Sequence, residues 1–508
     1  MTNPDIIVIG AGHNGLVAAA YLAKAGRKVL VLERSETAGG QLAPLIFGSN
    51  FDVEPLHPGA RLRADIVRDL DLARHGLASD GQIPAAAYVS ALPDGGQLNL
   101  SAADEASSVA SIRTLSERDA ARWPEFVRYM NTAAAFLDLM HATPMPRLAN
   151  EAVLQQGRPL ASLAWKLRKL GRTDMFRFMR SLSMSAVEFT EEWFESEPLR
   201  AALGALAIHG STLGSMSAGT GYTLLHNWLN RGGLAHPAVA GGSRLIGEAL
   251  VAAARAGGAE LRTGTPVARI LVDRLQVRGV ELANGEQIAA TTVVSGADPR
   301  HTLLGLVGAP ELPPEFVWQA QSIRMRGSVA KVHVLADSGH GLPDGTVVFA
   351  PTLKYLERAF DAAKYGEISQ QPYLEVTSQG AVVSIHFQFA PYSLRNADWE
   401  SSRSTVERLA VDAVAARYPG LRDRIRDVRS ITPLDLERTW GLTEGDMNHG
   451  QLILDQLLFM RPIPGWSDHR TPVDGLYLCG SGVHGGGGIS GVAGRNAARR
   501  VLQIGDSR

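Results

Sequence analysis

An α/β fold is what this sequence predicts: a parallel sheet flanked by helices, joined to a discontinuous α+β domain with a helical cap. Three observations predict it. Near the start of the chain the apolar run Ile6-Ile7-Val8-Ile9 leads directly into Gly10-Ala11-Gly12-His13-Asn14-Gly15, a helical pattern over 16–25 and a second apolar run, Val29 to Leu32. Near its end Leu476-Tyr477-Leu478-Cys479-Gly480 reads as a buried strand entering a glycine-rich run and then a helix. Between them, a block beginning at Gly241-Gly242-Ser243 again alternates helix and short strands.

The first turn needs its glycines because the chain must reverse, let its backbone approach a pyrophosphate and pack the next helix tightly on the sheet. The unpaired N–H groups at the start of that helix favour phosphate. Glu33 ends the second run at the spacing of a carboxylate that accepts hydrogen bonds from a ribose. Arg34 and the pair Gly39-Gly40 follow. This continuation resembles the extended fingerprint of flavoproteins of the glutathione-reductase type. The resemblance implies FAD rather than NAD, and a chain that passes close to the flavin diphosphate over Gly39, Gly40, Gln41 and Leu42.

In the middle block, 244–256 has helical spacing and 260–263, 267–272, 277–282 and 287–294 read as strands, with Asn284-Gly285 a hairpin turn. Val267 resembles the position where related flavoproteins hold adenine through the backbone, and reads equally as an ordinary strand residue. Ser295 and Gly296 resemble the strand end that passes near the pyrophosphate. The expected cofactor domain is therefore discontinuous, over 1–75, 235–305 and 440–508. The two insertions, 76–234 and 306–439, are expected to build the substrate domain, with 100–234 mostly helical and strands at 328–335 and 381–389 preceding a helix at 404–418. No second GxGxxG opens a helix after a strand, so electrons are expected to leave to oxygen, a quinone or a protein carrier.

The run Gly480-Ser481-Gly482-Val483-His484-Gly485-Gly486-Gly487-Gly488-Ile489-Ser490-Gly491-Val492 is similar to the signature of bacterial-type phytoene desaturases, the carotenoid-dehydrogenase branch of the FAD-dependent amine oxidase-like superfamily. Closer still is the branch called pyridine nucleotide-disulphide oxidoreductase domain-containing protein 2. That resemblance also takes in Met184-Ser185-Ala186, Ala390-Pro391-Tyr392, Met460-Arg461-Pro462 and Gly494-Arg495-Asn496. It implies a Rossmann-type FAD domain of the glutathione-reductase/amine oxidase-like class, with Gly480, Ser481, Gly488, Ile489 and Ser490 at the flavin and a helix opening near Ile489. Two positions depart from the pattern: Gly485 and Ser490 stand where such relatives show proline. His484 is the catalytic candidate, as a residue beside the isoalloxazine, with a hydrogen-bonding strut as the alternative; His57 and His449 come after it.

The only cysteine is Cys479, so disulphide-reductase chemistry through an internal cysteine pair is excluded, and its apolar strand suits a non-covalent FAD. No metal is expected. A net charge of −1 leaves no basic excess to neutralise phosphates, so no nucleic-acid partner is expected. The absence of a long apolar run and a first strand beginning near Asp5 point to a cytoplasmic enzyme. Around 163–180, Leu163, Leu167 and Leu170 at helical spacing, with Trp165 and basic neighbours, suit either peripheral contact with anionic lipid or packing on the protein itself or on another subunit. The expected activity is hydride removal from a largely apolar small molecule to flavin N5. The alternatives are amine oxidase-like oxidation next to nitrogen, for which Trp440, Tyr392 and Phe389 are cage candidates, a redox-neutral flavin isomerisation, and a non-catalytic FAD-binding interaction protein.

Overall fold

The computed structural model describes residues 3–46, 52–53, 60–77, 82–83, 87–101, 104–145, 153–236, 238–239, 242–343 and 345–505. His57 and Gly241 lie outside them. Five short parallel strands form the first sheet, in the order Leu476–Leu478, Thr292–Ser295, Ile6–Ile9 (β1), Val29–Leu32 (β2) and Glu260–Arg262. β1 and β2 are buried along their whole length, as befits parallel strands covered on both faces. Helices His13–Lys24 (α1), Arg244–Ala256 and Val492–Gly505 cover one face, where Val8, Leu16, Val31, Ala249 and Ala497 share a core. The other face, carrying Ile7, Ile9 and Leu30, packs on the antiparallel sheet of Val267–Asp273, Gln276–Leu282 and Gln287–Ala289.

The run expected as one strand over 287–294 is two. Gln287–Ala289 ends the antiparallel sheet, and Thr292–Ser295 enters the parallel one. Apolar residues continue through both, so periodicity alone does not mark the change of layer. The last helix begins at Val492 rather than Ile489, because Gly491 holds a left-handed backbone (φ 74°) that ends the glycine loop first.

A seven-stranded sheet makes the second body, in the order Ile425–Ile431, Val329–Ala336, Val382–Gln388, Tyr373–Gln379, Gly345–Phe349, Tyr88–Ala91, Gln97–Leu100. Gly345–Phe349 pairs in parallel with Tyr88–Ala91, so strands from two distant stretches of chain share one sheet. Helices Glu117–Ala142, Glu197–Ile208 and Thr220–Arg231 pack around an aromatic core that includes Trp123, Phe126, Phe194 and Trp228. Among the described residues no helix is long and apolar enough to cross a membrane.

Candidate functional site

A cleft of about 470 Å³ runs across the carboxyl ends of the parallel strands, where open α/β sheets bind ligands. Four strand ends contribute: Ile9 and Gly10 after β1, Glu33 and Arg34 after β2, Gly296 and Ala297 after Thr292–Ser295, and Gly480 and Ser481 after Leu476–Leu478. Gly12, His13, Asn14 and Gly15, at the start of α1, form its floor, and no side chain caps that helix, whose first N–H groups stay open to an anion. At Gly15 a side chain is excluded outright: a Cβ would lie 2.1 Å from the Gly10 carbonyl oxygen.

Glu33 is locked by two backbone donors, Ala11 N–H to Oε2 at 2.7 Å and Ser35 N–H to Oε1 at 2.9 Å, beside Pro266 and Val267. Gly40 and Gln41 line the cleft. Ala11, Gly39, Leu42, Ser295 and Ser490 stand behind the lining. Gly39 N–H donates to the Ala11 carbonyl, Ser295 Oγ bonds Thr302 Oγ1 at 2.7 Å, and the Ser490 carbonyl accepts from Arg63 N–H. The Arg34 guanidinium donates to the carbonyls of Arg438 and Thr439, and so pins a wall of Trp440, Gly441, Leu442 and Thr443, of which the sequence singled out Trp440 alone, as a cage candidate.

His13 and His449 both line the cleft, and His13 Nε2 and His449 Nδ1 are buried polar atoms with no protein partner. Burial, and then the neighbouring His449, lower the His13 pKa to about 3. A glycine-cradled floor, an anion-ready helix start, a fixed carboxylate and unmet polar atoms together fit FAD.

A smaller cavity of about 80 Å³ adjoins this cleft and shares His13, Gln41 and Ser481 with it. Gly488 and Ile489 line it from the glycine loop, and helix Thr220–Arg231, packed against that loop through His226 and Asn230, contributes His226, Asn227 and Asn230. His209 and His236 also line it. Behind them Glu375 is buried, accepting from Arg231 at 3.0 and 3.1 Å and from His236 Nε2–H at 2.6 Å. Burial raises the Glu375 pKa, but Arg231 and the two histidines outweigh it and hold the carboxyl well below the usual range. Burial lowers His226 to about 4, helped by Arg461.

His484 lines neither hollow. Fully buried, it donates from Nε2 to the carbonyls of Met140 and Thr143 at 3.0 and 3.2 Å, and ties the glycine loop to helix Glu117–Ala142. These are the bonds of a strut. The three cage candidates do not converge either. Trp440 faces the cofactor cleft, Phe389 is buried against Phe360, and the Tyr392 hydroxyl donates to Glu437. Cys479 is buried in the helix-covered core, where desolvation pushes its thiol up to about 12.

The cavity residues outside the glycine motifs, His209, His226, Asn227, Asn230 and His236, were missed because they carry no contiguous motif. Asn227 and Asn230 lie on the polar stripe of an amphipathic helix, and such a stripe ordinarily faces water.

Comparison with known proteins agrees with this geometry. The family model for flavin containing amine oxidoreductase matches residues 15–502. Pyridine nucleotide-disulfide oxidoreductase domain-containing protein 2 of Rattus norvegicus is 34% identical, over 98% of this chain and 93% of its own. A lycopene-forming phytoene desaturase of Pantoea ananas is 24% identical over 98% of this chain and 99% of its own. The structure of wild-type putrescine oxidase bound to putrescine, at 17% identity, shares the fold with a TM-score of 0.61 over the whole of both chains. The chain thus belongs to the flavin containing amine oxidoreductase family and is an FAD-dependent oxidoreductase.

Proposed function

We propose that the chain is a phytoene dehydrogenase-like enzyme that oxidises a largely apolar small molecule, bound in the second cavity, against non-covalently held FAD. The sharing of His13, Gln41 and Ser481 by the two hollows carries this reading, since one molecule in each would meet there. FAD, when bound, supplies a two-electron acceptor that takes hydride at N5, and oxygen or a quinone then takes the electrons. The start of α1 holds the diphosphate through its N–H groups, Glu33 holds the ribose, and backbone at Val267 holds the adenine. Gln41, which lines both hollows, is held in place by the hydrogen bond that its Nε2 donates to the Met447 carbonyl at 3.1 Å. Because His209, Asn227 and His236 line the cavity, the substrate carries a polar group beside its apolar skeleton.

The same reading assigns 1–75, 235–305 and 440–508 to cofactor binding and 76–234 and 306–439 to the substrate, in a cytoplasmic protein. Exposed Trp165, Phe176 and Met179, beside Lys166 and Lys169, suit a peripheral contact with anionic lipid, which flotation with anionic vesicles at low salt checks.

The deciding experiment is anaerobic bleaching of the flavin in the purified holoprotein by phytoene, squalene, linoleate and benzylamine. Bleaching by linoleate, the alkene of the three that carries a polar group, is expected most strongly, with the yellow colour released into solution on acid precipitation. Bleaching by benzylamine alone moves the reading to amine oxidation. A bound flavin that none of the four bleaches overturns it.

A further inference from the structure

Behind the second cavity a polar rung crosses the middle of the seven-stranded sheet. Lys331, His386 and Glu375 stand in register on three adjacent strands, all buried. Glu375 is the junction. Arg231 gives it two hydrogen bonds, the Tyr373 hydroxyl donates to it at 3.2 Å, and His236 Nε2–H donates at 2.6 Å. A buried ionic cluster of this size is weak as a source of stability, since apolar residues of equal volume serve as well or better. Three members of the cluster, His209, Arg231 and His236, reach the cavity, and of these only the two histidines can take up a proton. Of the two histidines only His236 makes the short bond to the carboxylate; His209 lies 3.5 Å from it and stacks on His386. Because Nε2 of His236 carries the proton given to Glu375, Nδ1 is the bare nitrogen, and among the described residues it has no partner.

We propose that His236, oriented by Glu375, is the proton acceptor of the oxidation, an assignment that rests on the function proposed above. One C–H bond of the substrate breaks with its electron pair passing to bound FAD. The atom next to that carbon gives its proton to Nδ1 of His236, and the electron pair left behind forms the new double bond. The substrate loses two electrons and two hydrogens; the flavin gains the electrons and one hydrogen, and the imidazolium releases the other to water.

Departure of hydride makes the adjacent proton strongly acidic, so a weak base suffices. Burial and then Arg231 lower His236 to about 4, which keeps it neutral and able to accept at physiological pH. Glu375 faces the imidazolium, Arg231 and Lys331 oppose it, and His209 lies 5.4 Å away ring to ring. His209, His236 and Glu375 also place ligand atoms within 4.8 Å of one another, as a metal site would. A divalent ion there would have to displace Arg231 from both carboxylate oxygens, with Lys331 in the same cluster, so the site suits a proton rather than a metal.

The test compares the holoprotein with His236→Ala and His236→Gln, the second keeping a donor towards Glu375. Bleaching is followed with the four compounds above, with and without added imidazole. The expected result is bleaching about 100-fold slower in both variants with FAD content retained, and a melting temperature that falls in His236→Ala but is kept in His236→Gln, which preserves the donor to Glu375. Imidazole should restore part of the rate to His236→Ala and none to His236→Gln. In ¹⁵N-histidine spectra the resonances missing from both variants should belong to a neutral imidazole protonated at Nε2 from roughly pH 8 to 6. Variant rates within about threefold of the parent overturn the assignment while leaving the proposed function intact. A charged imidazole at neutral pH, or one equivalent of bound zinc lost with His236, overturns it as well. If none of the four compounds bleaches the parent, the proposed function fails and takes the assignment with it.

Discussion

The cofactor cleft and the cavity beside it are made of different material: backbone and glycine at four strand ends in the first, side chains from separate helices and loops, backed by a sheet, in the second. A diphosphate is the same in every FAD, and N–H groups at a helix start recognise it without a specific side chain. A substrate has its own shape, and only side chains brought from different elements can complement it. Every element of the cleft floor comes from a short contiguous motif. In the cavity, His209, Asn227, Asn230 and His236 are followed by Glu375 more than a hundred residues later.

The strongest way to break this contrast is Gly15→Val. A Cβ already 2.1 Å from the Gly10 carbonyl cannot be relieved by a rotamer change, because both parties are backbone. The variant should purify colourless, with FAD affinity down by about 100-fold or more, as judged by the flavin-to-protein absorbance ratio. A yellow Gly15→Val protein would show that side chains, not this turn, carry the cofactor.

Acid should act on both regions together. His13 in the cleft lies at about 3, and His226 and His236 in the cavity at about 4, each lowered chiefly by burial from an ordinary value near 6.5. The unfolded chain therefore binds more protons than the folded one between those limits. The stability these neutral imidazoles allow is complete above pH 6.5 and is lost as pH falls towards 4. Thermal melts at pH 7 and pH 5 should show a marked fall in melting temperature with FAD released in the same transition. An unchanged melt would mean that these rings are hydrated in solution.

His484→Ala gives the smallest effect and sharpens the contrast most finely. As a strut between the glycine loop and the carbonyls of Met140 and Thr143, His484 should cost about 1–3 kcal/mol of stability when removed, with FAD retained and bleaching within about threefold of the parent. Loss of bleaching with an unchanged melt would return His484 to the chemistry.

These differences also explain what could be read in advance. The strand, turn and helix around Gly10–Gly15, the carboxylate at Glu33 and the glycine loop at 485–488 were legible because each is a contiguous solution to a local geometric demand. The 287–294 run was misjudged because apolar alternation persists while the chain passes from one sheet to another. His484 drew attention through its neighbours in sequence, yet its ring points to a helix end formed some 340 residues earlier. His236 drew none, since neither its spacing from His209 nor any pattern near Glu375 marks three strands and two helices that meet only after folding.

The parallel sheet that carries the cleft has a consequence for biosynthesis. β1 can pair with β2 almost as soon as both leave the ribosome, but its other edge waits for Thr292–Ser295, and the sheet is finished only by Leu476–Leu478. Through most of translation an apolar strand edge therefore stands open, with the hazards of mispairing that such edges carry. Gly480 and Ser481 follow the first turn by more than 460 residues, so a cleft able to hold flavin is complete only after both segments are made, and the yellow colour of a preparation reports that these two distant segments have met.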